Sequence, residues 1–183
     1  MLFDSHSHLH FSQFDTDREE IIKKIRDSDV KTINVGTDFD DSKKAIELAL
    51  KYPKIMKASV GLHPNDVMNA DFDYDGFKEL AENDIVVAIG ECGLDYFRTL
   101  DSEAQLKQKE VFIKHVEMAQ ELDKPLILHC RPTVGTQNAY EDALKILVSC
   151  FQFHVSRLNG VAHFFVGSKE TAKKFLDLGF YIS

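Results

Sequence analysis

Short runs of β-branched and aliphatic residues recur along this chain about every 30 residues, and a stretch of helical period follows each one. No other feature restricts the fold as much, because strand–helix alternation sustained over a whole chain demands an α/β architecture with a parallel sheet. Residues 31–36, 56–60, 85–89, 125–128, 160–162 and 180–182 read as strands, with 2–3 a shorter one at the front. Their near-continuous apolar character suits strands covered on both faces. Between them lie amphipathic helices. Thr16 to Glu19 has capping-box form ahead of Ile21, Ile22 and Ile25. Asp41 is placed to open a helix with Ala45, Ile46, Leu48 and Ala49 on one face, stopping before Pro53. A long helix from about Ser102 carries Leu106, Phe112, Ile113, Val116, Ala119 and Leu122. Later helices carry Leu144, Ile146 and Leu147, then Ala172, Phe175 and Leu176, the last closed by Gly179. The polar stretch 65–75 reads as a loop.

The strand ends fall near His6, Thr37, His63, Glu91, His129 and His163, at intervals of 31, 26, 28, 38 and 34 residues, one βα unit each. Eight such units make a (β/α)8 TIM-type barrel of about 250 residues. The 183 residues here are therefore expected to hold an incomplete barrel, about six βα units plus the start of a seventh strand. A doubly wound open sheet is the rival, but no GxGxxG follows the first strand. No linker or composition break divides the chain, so residues 1–183 read as one domain.

The same landmarks carry the chemistry. In a parallel barrel every strand delivers its C-terminal end to one rim. That topology would gather His6 and His8, Glu91, His129 and His163 around one pocket. Period two along an extended chain puts His6 and His8 on the same side. Imidazoles plus a carboxylate suit zinc, manganese or a related divalent ion. HxH alone is a weak motif. Ligand types at four independent strand ends are much harder to assign to chance.

Composition narrows the setting. The net charge of −8 argues against a broad polyelectrolyte grip on nucleic acid, though not against a substrate held locally through metal. Three widely spaced cysteines form neither a disulfide framework nor a zinc ribbon and fit a reducing compartment. The N-terminus lacks the basic and apolar regions of a signal peptide, and no run approaches 18 apolar residues, so a cytoplasmic chain without a membrane span is expected. Nothing in the sequence points to an obligate protein partner. His10 extends the HxH pair but is expected to have turned into a loop. His115, mid-helix, and His154, in a helix-to-strand connection, read as surface residues. Cys92 and Cys130 follow ligand positions and should point away from the metal, and Ser168 reads as a helix N-cap.

The motifs DSHSHLH, VGLHP, AIGECGLDYFR, LILHCR and GVAHFFVGS, in that order, resemble the TatD family of metal-dependent deoxyribonucleases, within the amidohydrolase-like barrels, over essentially the whole length. The resemblance implies that His6, His8, Glu91, His129 and His163 hold two divalent ions (zinc, manganese or magnesium), with Glu91 bridging them. It implies metal-assisted hydrolysis of DNA phosphodiesters, with exonuclease action on single-stranded ends as the expected mode. Glu91 and His63 are the catalytic candidates, His63 as a phosphate or leaving-group contact. Arg131 is placed to pair with a phosphate, and Tyr96 to stack on a base or sugar. Where the family usually reads HCFSGS this chain has HFFVGS from His163, and residues 132–139 form an unusual version of the loop after the fifth strand. The family's acidic ligand after its eighth strand would fall beyond Ser183. Two alternatives stand: an amide- or ester-hydrolysing enzyme of the wider barrel group, or an inactive chain that only binds metal.

Overall fold

In the computed structural model, which describes residues 2–151 and 159–183, the apolar runs become seven strands: β1 (Leu2–Ser7), β2 (Val30–Val35), β3 (Met56–Val60), β4 (Val86–Asp95), β5 (Leu126–Arg131), β6 (Gly160–His163) and β7 (Phe180–Ile182). They form one parallel sheet in simple sequence order. The crossovers carry α1 (Arg18–Asp27), α2 (Phe39–Lys51), α3 (Tyr74–Ala81), α4 (Ser102–Glu121), α5 (Asn138–Phe151) and α6 (Lys169–Asp177). No helix among the described residues is long and apolar enough to cross a membrane.

The sheet is curled into a half-barrel. Five inter-strand steps separate β1 from β6, which in a flat sheet would span about 24 Å. Instead the rings of His6 and His163 stack with centroids 3.5 Å apart. Two apolar clusters follow from the curl. A large one fills the space between helices and sheet, and a small one on the other face gathers Ile33, Val35, Ala88, Ile127 and Val161. Period two then sets what stands above that small floor. Ile127 and His129 share a side of β5, as Val161 and His163 do on β6, and the register pairs Ile127 with Val161 and His129 with His163.

β4 breaks this alternation, and the site depends on the break. Ala88 belongs to the inner cluster, yet Cys92 and Leu94, of the same parity, belong to the outer one. The reversal lies at a bulge: Ile89 pairs with Leu126 and Cys92 with Leu128, so three steps on β4 face two on β5. An extra residue re-aims every later side chain. Glu91 and Asp95 thereby turn inward. Gly93, at φ 137°, lies so close to β5 that a Cβ there would sit 2.1 Å from the His129 carbonyl oxygen.

Several local expectations are corrected. The capping box at Thr16–Glu19 does not form; Asp17 occupies the N-cap without a side-chain bond. Asp41 does not open α2. Asp38 does, accepting from the Asp41 N–H, which leaves the Asp41 carboxylate for other partners. Leu106 and Leu176 lie on outward faces, 58% and 55% exposed. β1 runs four residues past its expected end and β4 six past its own, and α3 is an additional helix, capped by Asp73. Ser168 caps α6 as expected, accepting from the Thr171 N–H.

Candidate metal centre

Glu91 stands at the middle of the inner rim, and each of its oxygens faces a different pair of histidines. Oε2 lies 3.3 Å from His6 Nε2 and 3.8 Å from His8 Nε2, and these two nitrogens are 3.0 Å apart. Oε1 lies 3.1 Å from His129 Nδ1 and 3.9 Å from His63 Nε2. The result is two three-residue groups, His6–His8–Glu91 and His63–Glu91–His129, each with its ligand atoms within 4.8 Å of one another. One carboxylate serves both. His163 is brought alongside through its stack on His6 but joins neither group.

Hydrogen bonds outside the groups decide what each imidazole presents inside them. His8 Nδ1 is 2.8 Å from the Val35 carbonyl, so Nδ1 carries the proton and Nε2 turns a lone pair toward His6 and Glu91. His129 Nε2 is 3.1 Å from Asp95 Oδ2, which leaves Nδ1 as its inward atom. His63 is the opposite case. Its Nδ1 accepts from the Asn65 N–H at 3.2 Å, so in the neutral ring the proton is on Nε2, facing Glu91. His6 Nδ1 is buried with no partner at all. His8 Nε2 and His129 Nδ1 thus turn toward different oxygens of one carboxylate, with the unpartnered Nδ1 of His6 close by. That donor set fits a divalent cation of the zinc or manganese type.

The electrostatics of the bare protein agree. Burial disfavours the Glu91 anion, yet hydrogen bonds with His129 and His6 overcome it and hold the carboxyl well below the usual range. Asp95 is likewise driven down to about 2 against burial, chiefly by His129 and the Arg98 N–H. His129, between the two carboxylates, is pushed up to about 9 although burial opposes it. Burial and the neighbouring His129 push His63 down to about 4, and burial and His6 do the same to His163. One cationic imidazole holds the two acids in the absence of a metal.

Asp95 is the site residue that sequence reasoning missed. Its only signal was the four-residue spacing from Glu91 in GECGLD, which is uninformative until the bulge is known. It is fully buried and also accepts from Asn65 Nδ2 at 3.2 Å and the Arg98 N–H at 2.9 Å. Arg131 ends β5 on the same side as His129, its guanidinium 3.7 Å from the centre of the Phe97 ring, and it makes no ion pair among the described residues. Tyr96, expected as a stacking platform, is corrected. Only 2% exposed, it sits in the main core with its hydroxyl donating to Asp142, because β4 continues past Glu91 and carries its side chain outward.

His10 is turned from the centre and bonds Asp41 at 3.0 Å, and Thr37 donates to the same carboxylate oxygen. His115 is not a surface residue. It is buried against Phe72, accepts from the Leu62 N–H at 3.0 Å through Nε2, and donates from Nδ1 to the Val111 carbonyl. Cys92 and Cys130 are buried in the outer core. His154 lies outside the described residues.

This arrangement can be compared with known proteins. A family model described as "TatD related DNase" matches residues 3–183. The chain belongs to the TatD family. An uncharacterized metal-dependent hydrolase, YabD of Bacillus subtilis, is 37% identical over 185 residues, covering 100% of this chain and 68% of the relative. The "3'-5' ssDNA/RNA exonuclease TatD" of Salmonella typhimurium is 32% identical over 183 residues, covering 99% of this chain and 66% of that protein. The crystal structure of YJJV, a TatD homologue from Escherichia coli, superposes with a TM-score of 0.83 at 27% identity, over 99% of this chain and 66% of that one. The chain thus spans about two thirds of the length of the TatD-family relatives it matches.

Proposed function

We propose that this TatD-family chain belongs to a metal-dependent phosphodiesterase that removes nucleotides from single-stranded nucleic-acid ends, with two divalent ions held by His6, His8, Glu91, His129 and His163. One observation carries the reading: a single buried carboxylate divides its two oxygens between two histidine groups. Shared-carboxylate sites suit displacement at phosphorus, where charge must be balanced on both the attacking and the leaving oxygen. When bound, the ions supply electrophilic activation of water and of the phosphate oxygens.

The chain's own groups supply the rest. Glu91 fixes where the two groups meet; His8 would offer a lone pair at Nε2, held by Val35, and His129 one at Nδ1 on losing its proton to solvent, held by Asp95. His63 offers an N–H toward the same point, suited to a developing negative charge on a leaving oxygen. Arg131 offers a planar fork for a phosphate. With a net charge of −8 and no basic groove called for, recognition is local. The name of the Salmonella typhimurium relative supports single-stranded DNA and RNA as substrates.

The test uses single-stranded and duplex DNA and single-stranded RNA, labelled at either end and incubated with manganese, zinc or magnesium. Stepwise shortening of single strands that a chelator abolishes is the expected result. Turnover of small amides or carboxylic esters with no phosphodiester cleavage, or metal uptake without any turnover, overturns it.

A further inference from the structure

The two histidines beside Glu91 Oε1 present opposite faces, and one residue touches the partner network of both. The Asn65 backbone N–H donates to His63 Nδ1 at 3.2 Å, while its side-chain Nδ2 donates to Asp95 Oδ2 at 3.2 Å. That same Asp95 oxygen receives His129 Nε2 at 3.1 Å. The orientation of the Asn65 amide follows from this contact: turned over, it would set Oδ1 against a carboxylate oxygen, acceptor against acceptor. As placed, Oδ1 is left buried with no partner. A buried amide that leaves its own oxygen unpaired is held by the need of its neighbour. Asp95 is further fixed by the Arg98 N–H, and its own backbone N–H donates to Gln108. The carboxylate therefore takes one donor on each oxygen, the residue's backbone is fixed by Gln108, and Oδ2 is left aimed at one imidazole.

We propose that Asn65 and Asp95 are positioning residues that assign the proton on each of these two rings: His129 is made a metal ligand through Nδ1, and His63 a hydrogen-bond donor through Nε2. The assignment separates two histidines that proximity to Glu91 alone would treat as equivalent ligands. It rests on the metal reading above and says which ring nitrogen does what.

The experiment uses the chain loaded with zinc, with ¹⁵N-labelled histidine, comparing the parent with Asp95→Asn and Asn65→Ala. In the parent, His129 is expected to show a metal-bound Nδ1 and a protonated Nε2, and His63 a protonated Nε2 free of metal. Asp95→Asn is expected to weaken zinc binding by about 10- to 100-fold in chelator competition and to disturb the His129 ring signals. Asn65→Ala leaves the Asp95–His129 contact in place, so it covers the case in which Asp95→Asn does not fold; a loss of about 10-fold, the low end for an outer hydrogen-bond partner, is expected. A merely structural role would lower the melting temperature and leave ring signals and affinity alone. Variants that fold, bind zinc within twofold of the parent and keep its ring signals overturn the proposal, as does a His63 Nε2 bound to zinc in the parent. A parent that takes up no zinc overturns the metal reading itself, which is a separate result.

Discussion

Glu91 carries more of the centre than any other side chain, since both histidine groups close on it. Glu91→Gln keeps the volume and removes the charge. It is expected to weaken zinc binding by more than about 100-fold, beyond what losing a ligand's hydrogen-bond partner costs, as read by chelator competition. His115 lends itself to a cleaner test because it lies away from the centre. Both its nitrogens are satisfied only in the neutral ring: Nδ1 donates to Val111 and Nε2 accepts from Leu62. Burial pushes it down to about 4. The unfolded chain binds that proton near pH 6.5 and the folded chain does not. Stability from this group is therefore complete above pH 6.5, falls as the pH drops toward 4, and levels off below, a loss of about 3 kcal/mol. Across pH 7.5, 6 and 5, denaturant unfolding should show the parent's stability relative to His115→Gln, which keeps an acceptor but does not titrate, falling by about 2 kcal/mol.

Among elements, β4 decides the most. Gly93→Ala would drive a Cβ into the His129 carbonyl, and at φ 137° it would also force a side chain into a conformation that suits glycine. A loss of at least about 2 kcal/mol is expected in denaturant unfolding, together with weaker zinc binding, because the β4–β5 spacing sets the Glu91–His129 contact. The strands were legible wherever apolar residues ran together, as in β2, β3 and β5. The second half of β4 was not, because Gly90, Glu91 and Gly93 lower strand propensity, and the bulge that re-aims them leaves no mark in a pattern of period two. Hence Asp95 was missed and Tyr96 misplaced. Helix starts were uncertain for a related reason: at 38, 40 and 41 aspartates compete for one cap, and only tertiary partners, here Thr37 and His10, choose among them.

At the scale of the molecule, the centre joins β1 to β4, β5 and the segment after β3, so binding there should stabilise the whole. Zinc at about 100 times its Kd adds about 2.7 kcal/mol, which for a domain of this size is roughly 5 to 10 °C in melting temperature. Calorimetry should show that rise in the parent and its loss in Glu91→Gln. That His6, His8, Glu91, His129 and His163 come together was legible because parallel topology sends strand ends to one rim. Their grouping was not, because it depends on how far the sheet curls. His163 shows this, since it reaches the centre by stacking on His6 rather than by joining either triad.

That stack makes the chain its own stopwatch. Its two rings lie 157 residues apart in the sequence, and closures between distant segments are slow. Refolding in the presence of cobalt should therefore develop helical ellipticity first and the ion's visible absorption bands last. The colour would report the moment β1 closes on Glu91 of β4.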